Sequence, residues 1–89
     1  MDRSEFEKSR RAEGFGEFEL KALPNTYATN PHTHPFDVAA LVTKGEITLT
    51  CGGQPRTYRA GEIFTMAQGM QHFERVGADG VEYFAAKRR

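Results

Sequence analysis

Glycine, proline and asparagine break this chain about every eight to twelve residues, a cadence that leaves room for short strands and not for a bundle of long helices. Between the breaks the apolar residues fall at every second position. Phe18, Leu20 and Ala22 alternate with Glu17, Glu19 and Lys21, which predicts a first strand with the apolar set turned inward. Ile47, Leu49 and Cys51 alternate with Thr48 and Thr50, and the turn Gly52-Gly53-Gln54-Pro55 returns the chain into Arg56–Arg59, a hairpin. Phe36 to Thr43 is almost continuously apolar, as expected of a central strand buried on both faces. Turns are predicted at Lys44-Gly45-Glu46, at Ala60-Gly61 and at Gly77-Ala78-Asp79-Gly80, with strands over 62–66, 72–76 and 81–85.

Ahead of the strands, Ser4-Glu5-Phe6-Glu7 reads as a capping box with Ser4 as N-cap, and Glu7 to Arg11 has the spacing of an ion pair across one helical turn. A short helix over roughly residues 4–12 is predicted, held to the rest by Phe6. The expected organisation is a single domain spanning 1–89, with a helical arm over 1–13 and a β-barrel over 16–86.

At 89 residues with nine glycines, seven phenylalanines and no tryptophan, such a domain has a thin core. Twelve basic and twelve acidic residues leave no net charge, which gives nucleic acid or an anionic membrane no field to follow. The single cysteine, Cys51, excludes an internal disulfide and multi-cysteine metal motifs, and its alternation with Leu49 reads as packing. A reducing cytoplasm is the expected location. No apolar run reaches the length of a membrane span.

Two of the three histidines stand one residue apart in Asn30-Pro31-His32-Thr33-His34-Pro35-Phe36-Asp37. In extended backbone His32 and His34 project to the same side and can grip one ion. The third, His72, arrives far downstream behind Gly69-Met70-Gln71.

These two segments resemble the two motifs of the cupin superfamily. The run from His32 to Gly45 is similar to the first, a histidine-x-histidine pair followed by a glutamate and a glycine. The run from Gly61 to Val76 is similar to the second, in which a glycine, a proline-x-glycine and a histidine follow in order; Gly61, Gly69 and His72 match. The resemblance implies an all-β fold, a double-stranded β-helix or cupin jelly-roll barrel with a short N-terminal helix, as in small single-domain cupins. It implies a divalent metal ion, whether zinc, iron, nickel or manganese, held by His32, His34 and His72. It also implies a homodimer.

Three positions depart from the motifs. Val38 stands where the family has its glutamate, and Asp37 is one residue early, so strand parity turns it away from His34. Ala67 replaces the proline of the second motif and Val76 its asparagine. Glu74 shares parity with His72 and is the candidate to replace the missing carboxylate or to act as a base; the alternative is a solvent-facing glutamate paired with an arginine. Tyr83 is the other acid–base candidate. Phe36, Phe64, Met66, Met70, Phe73, Tyr83 and Phe84 are available to line a pocket, although a chain this short needs most of them for its core. Two functional classes follow: a metal-dependent protein that acts on or binds a small molecule, or a metal-free, non-catalytic ligand-binding or sensory module.

Overall fold

The computed structural model describes every residue from Met1 to Arg89. It contains one helix, α1 (Arg3–Ala12), and five strands: β1 (Gly16–Leu23), β2 (Asp37–Cys51), β3 (Gln54–Arg59), β4 (Ile63–Met66) and β5 (His72–Arg88). All strand pairings are antiparallel. No helix is long and apolar enough to cross a membrane.

The frame is the pair of long strands β2 and β5, which run together from Asp37↔Arg88 to Cys51↔His72. Their register slips between Val42 and Lys44 and again between Gly45 and Ile47, so both strands bend at their middles and each serves two sheets. One half pairs outward with β1 and β4, through Leu20↔Phe84 and Ala40↔Phe64. The other pairs with β3, through Ile47↔Tyr58, and with the segment 27–32, which lies along β5 at Ala28↔Arg75 and His32↔His72. The two half-sheets face each other and enclose the main core, a jelly-roll barrel.

The predicted turns at Lys44–Glu46 and Gly77–Gly80 are therefore not chain reversals. They are the bend itself: β2 and β5 stay paired on both sides of it, at Gly45↔Val81 and Ile47↔Val76, while residues 77–80 have no ladder partner in β2. Glycine is required there: Gly45 has φ +70°, and a Cβ on it would lie 2.0 Å from the Gly80 carbonyl oxygen. The hairpin of β2 and β3 and the inter-sheet loop before His72 fall where the sequence places them.

Val38, Ala40 and Val42 project into the barrel with Ile47, Leu49, Phe64 and Val81. Ala39 and Leu41, on the opposite face of the same strand, pack with Phe6, Phe15, Phe84 and Ala86 under α1. The continuous apolar run of β2 thus serves two cores, as its pattern predicts. Phe6 is fully buried, edge-on to Phe18 and Phe84 at 6.4 and 6.2 Å between centroids. The guanidinium groups of Arg3 and Arg11 cover Phe84 and Phe18 at 4.2 and 4.6 Å, which lets a largely polar helix cap an aromatic cluster.

Two local expectations are corrected. The helix is capped by Asp2, whose carboxylate accepts from the Glu5 amide at 2.8 Å, so Ser4 lies within the first turn; the Glu7–Arg11 pair forms at 2.8 Å. In β1 the period of two is present but its apolar face points away from the barrel. Phe18 is covered by α1, Leu20 and Ala22 are exposed, and Lys21 and Leu23 are half-buried on the interior side, where Glu19 borders the cavity but stays exposed.

Candidate metal centre and ligand pocket

The segment carrying His32 and His34 is not a regular strand; β2 begins only at Asp37. It is nevertheless extended, and burial alternates along it, with His32, His34 and Phe36 turned in and Pro31, Thr33 and Pro35 turned out. Its position comes from two straps. His32 and His72 exchange both backbone hydrogen bonds, at 2.9 and 3.0 Å, and the Gly69 amide donates to the His34 carbonyl at 3.0 Å. The two histidine-bearing segments, distant in sequence, are thereby fixed edge to edge.

The three imidazoles converge. Their ring centroids are 4.4 Å apart for His32 and His72, and 5.0 Å apart for each of the other two pairs. One ring nitrogen from each lies within 4.8 Å of those of the other two. Nδ1 of His32 lies 2.8 Å from the Asn30 carbonyl oxygen and Nδ1 of His72 lies 3.0 Å from that of Met70. A carbonyl only accepts, so in both rings the partner assigns the proton to Nδ1 and leaves Nε2 of the neutral imidazole as a lone pair. That orientation of the ring through its far nitrogen is the arrangement that metal-binding histidines use.

His72 is 2% exposed, and its Nε2 is a buried polar atom with no hydrogen-bond partner. Such an atom costs stability unless something satisfies it. His34 stacks on Phe36 at 5.0 Å, and burial, followed by the charges of His72, His32, Lys21 and Lys87, holds its pKa below the ordinary histidine value. Three neutral nitrogen donors with a free side suit zinc, iron, nickel or manganese, so the residues present fit a divalent metal.

Beside the histidines lies a cavity of about 230 Å³ whose wall includes His32, His34, Phe36, Phe64, Met66 and Tyr83. Val38, at the position of the family's glutamate, is part of that wall and brings no charge. Asp37 is turned away, as parity predicts: one oxygen accepts from the Gln68 amide at 2.8 Å and the other pairs with Arg88 at 2.9 Å. The Gln68 amide first, and then Arg88, hold its carboxyl below the usual aspartate value.

Glu74 is 7% exposed, and Oε2 stands 3.6 Å from Nε2 of His32. The solvent-facing alternative for this residue is overturned; it belongs to the pocket wall, outside the group of three histidine nitrogens. Tyr83 also lines the cavity, and burial first, then Glu74, pushes its hydroxyl well above the ordinary tyrosine value. Tyr27 is shifted the same way for the same two reasons. Among the other aromatic and methionine candidates, Phe84 lies in the cluster under α1 and Phe73 is 40% exposed. Cys51 is a free, half-buried thiol.

Sequence reasoning missed Tyr27, Lys21 and Lys87 as pocket residues. Lys21 carried no signal, since a lysine in an alternating strand reads as a solvent position, and Lys87 read as part of the basic Lys87-Arg88-Arg89 tail, a solvated chain end.

A cupin-2 domain protein from Shewanella frigidimarina has the same fold, with a TM-score of 0.69 at 20% identity over 81% of this chain and 69% of that one. A Neisseria meningitidis protein matches with a TM-score of 0.71 at 23% identity, covering 85% of this chain and 75% of its own. A cupin superfamily protein from Desulfitobacterium hafniense matches with a TM-score of 0.70 at 13% identity over 80% and 64%. No curated protein matches the sequence. Residues 16–87, which span all five strands but for the last residue of β5, match the model of the AraC-like ligand binding domain. The chain belongs to that family of ligand-binding domains, and its fold is the cupin fold of the structures above.

Proposed function

We propose that this protein binds a divalent metal through His32, His34 and His72 and uses the adjoining cavity to bind a small molecule at the metal's open side. The observation that carries the reading is the buried, partnerless Nε2 of His72, aimed into a group of three imidazoles of which two are oriented by backbone carbonyls. A bound metal would act as a Lewis acid toward an oxygen of the ligand. The chain's own residues supply the rest. Phe64, Met66 and Phe36 form an apolar wall that excludes water, while Glu74 accepts a proton or hydrogen bond from a ligand group brought beside His32.

Elemental analysis of protein purified without an affinity tag, repeated on His32→Ala, tests the metal. Stoichiometric zinc, iron, nickel or manganese that is lost in the variant is the expected result; no metal in either protein refutes it.

A second reading is favoured by the family itself: a metal-free ligand-binding or sensory module, in which the histidines contact the ligand directly. It predicts ligand binding that is indifferent to chelators. The exposed Leu20 on the edge strand β1 supports a homodimer, which sedimentation at micromolar concentration tests.

A further inference from the structure

The cavity wall carries five charged side chains: Glu17, Glu19 and Lys21 from β1, and Glu74 and Lys87 from β5. Glu17 pairs with Arg89 at 3.4 Å, Glu74 stands against His32, and Glu19 is exposed. Lys21 and Lys87 are both half-buried, and neither takes part in any of the ion pairs of the structure. A lysine that gives up part of its hydration is normally matched by a carboxylate. Here the nearest compensation is aromatic: Nζ of Lys87 lies 4.8 Å over the Phe36 ring, which itself stacks on His34. Both lysines and His34 line the same cavity.

Their place in the register matters. Lys87 is the ladder partner of Val38, the residue at the family's carboxylate position, and Lys21 is the partner of Tyr83 on the other side of β5. A neutral residue thus stands at the family's carboxylate position beside Lys87, and Lys21 borders the same cavity further along the sheet, with Glu19 at the ladder position between the two lysines. Three neutral imidazoles add no negative charge, so a divalent ion there keeps its full charge and favours an anionic ligand. Glu74, Tyr27 and Tyr83 line the same cavity, and the Glu74 carboxylate suits a hydrogen-bond donor.

We propose that the pocket takes a short carboxylate bearing an adjacent hydroxyl or amino group, its carboxylate held by Lys21 and Lys87 beside His34 and its donor turned to Glu74. The ligand thereby supplies the negative charge that Val38 withholds. This deepens, and rests on, the three-histidine reading above.

The test is calorimetric titration of the zinc-loaded full chain with lactate, glycerate, alanine and serine, each beside the alcohol in which CH2OH replaces the carboxylate. Zinc content is measured on the same samples of wild type, Lys21→Gln, Lys87→Gln, the double variant and Lys8→Gln, whose lysine is exposed on α1. At least one carboxylate is expected to bind, its alcohol about tenfold more weakly or not at all, and each pocket variant to lose about tenfold while Lys8→Gln and the zinc content stay unchanged. Equal binding of acid and alcohol, wild-type affinity in the double variant, or no binding of any carboxylate overturns the proposal. A wild-type chain that takes up no zinc defeats the three-histidine reading instead, and the same titrations of the metal-free protein then decide the anion question by the same lysine comparison.

Discussion

His32 and His72 are direct ladder partners: each amide donates to the other's carbonyl, at 2.9 and 3.0 Å, and their rings lie 4.4 Å apart. Two side chains forty residues apart in sequence are thus set by backbone hydrogen bonds rather than by the mobility of a loop. The third ring follows two residues on, by alternation. Two of the three rings are therefore placed by one backbone bridge at the start of β5.

This arrangement separates binding from stability. Replacing His72 by phenylalanine removes the partnerless Nε2 along with the Nδ1 bond to Met70, two changes that offset each other, so the metal-free variant should lie within about 1 kcal/mol of the metal-free wild type. Zinc at a hundredfold excess over its dissociation constant should stabilise the wild type by about 2.7 kcal/mol and the variant not at all. Urea unfolding with chelator and with zinc measures both.

Gly45→Ala should be among the most damaging small substitutions in the chain. Its Cβ would collide with the Gly80 carbonyl at a positive φ, and the bend of β2 against β5 would have to open. A loss of about 3 kcal/mol or more is expected. Gly53→Ala, also at positive φ but in open space, should cost about 1 to 2 kcal/mol. Equal urea midpoints for the two variants would contradict the crowding argument.

Phe6→Ala should weaken the outer aromatic cluster by about 3 to 4 kcal/mol and loosen α1, because the side chain is fully buried against Phe18 and Phe84. The histidines adjoin the barrel-side cavity rather than this cluster, so metal affinity measured at low temperature, where the variant remains folded, should be unchanged. Hydrogen exchange should show faster exchange in α1 than in β5.

Asp37 gives a pH signature. Its folded pKa is lowered by the Gln68 amide and by Arg88, so its contribution to stability is present above the unfolded value of 3.8 and is lost as pH falls through the lowered folded value. Asp37→Asn should therefore be less stable than wild type at neutral pH, with the difference shrinking below about pH 4. Urea midpoints for the pair at pH 7 and pH 3 provide the comparison.

Glu74→Gln should leave zinc stoichiometry intact, since Glu74 stands outside the three-nitrogen group, but should weaken zinc affinity about tenfold by removing a negative charge 3.6 Å from Nε2 of His32, the nitrogen that faces the metal. Competition with a chromophoric chelator reads the affinity directly.

The sequence by itself determined the all-β class, the positions of β3 and β4, the double-faced burial of β2, and the convergence of His32, His34 and His72. Those features rest on local chemistry: a period of two, a turn residue, a histidine at a motif position. The tertiary structure decided what depends on a distant partner. Gly45 and Gly80 look like turn residues, and only the pairing of β2 with β5 makes them a bend within continuous strands. Glu74 shared parity with His72, but its burial required segment 27–32 to lie alongside β5, with the Glu74 amide donating to Thr29 Oγ1. In β1 the alternation was plain while the side facing the barrel was not. The apolar face with Phe18 went to the helix and the polar face with Lys21 went to the pocket, because α1 packs its buried Phe6 against that outer face, a contact that alternation within β1 does not encode.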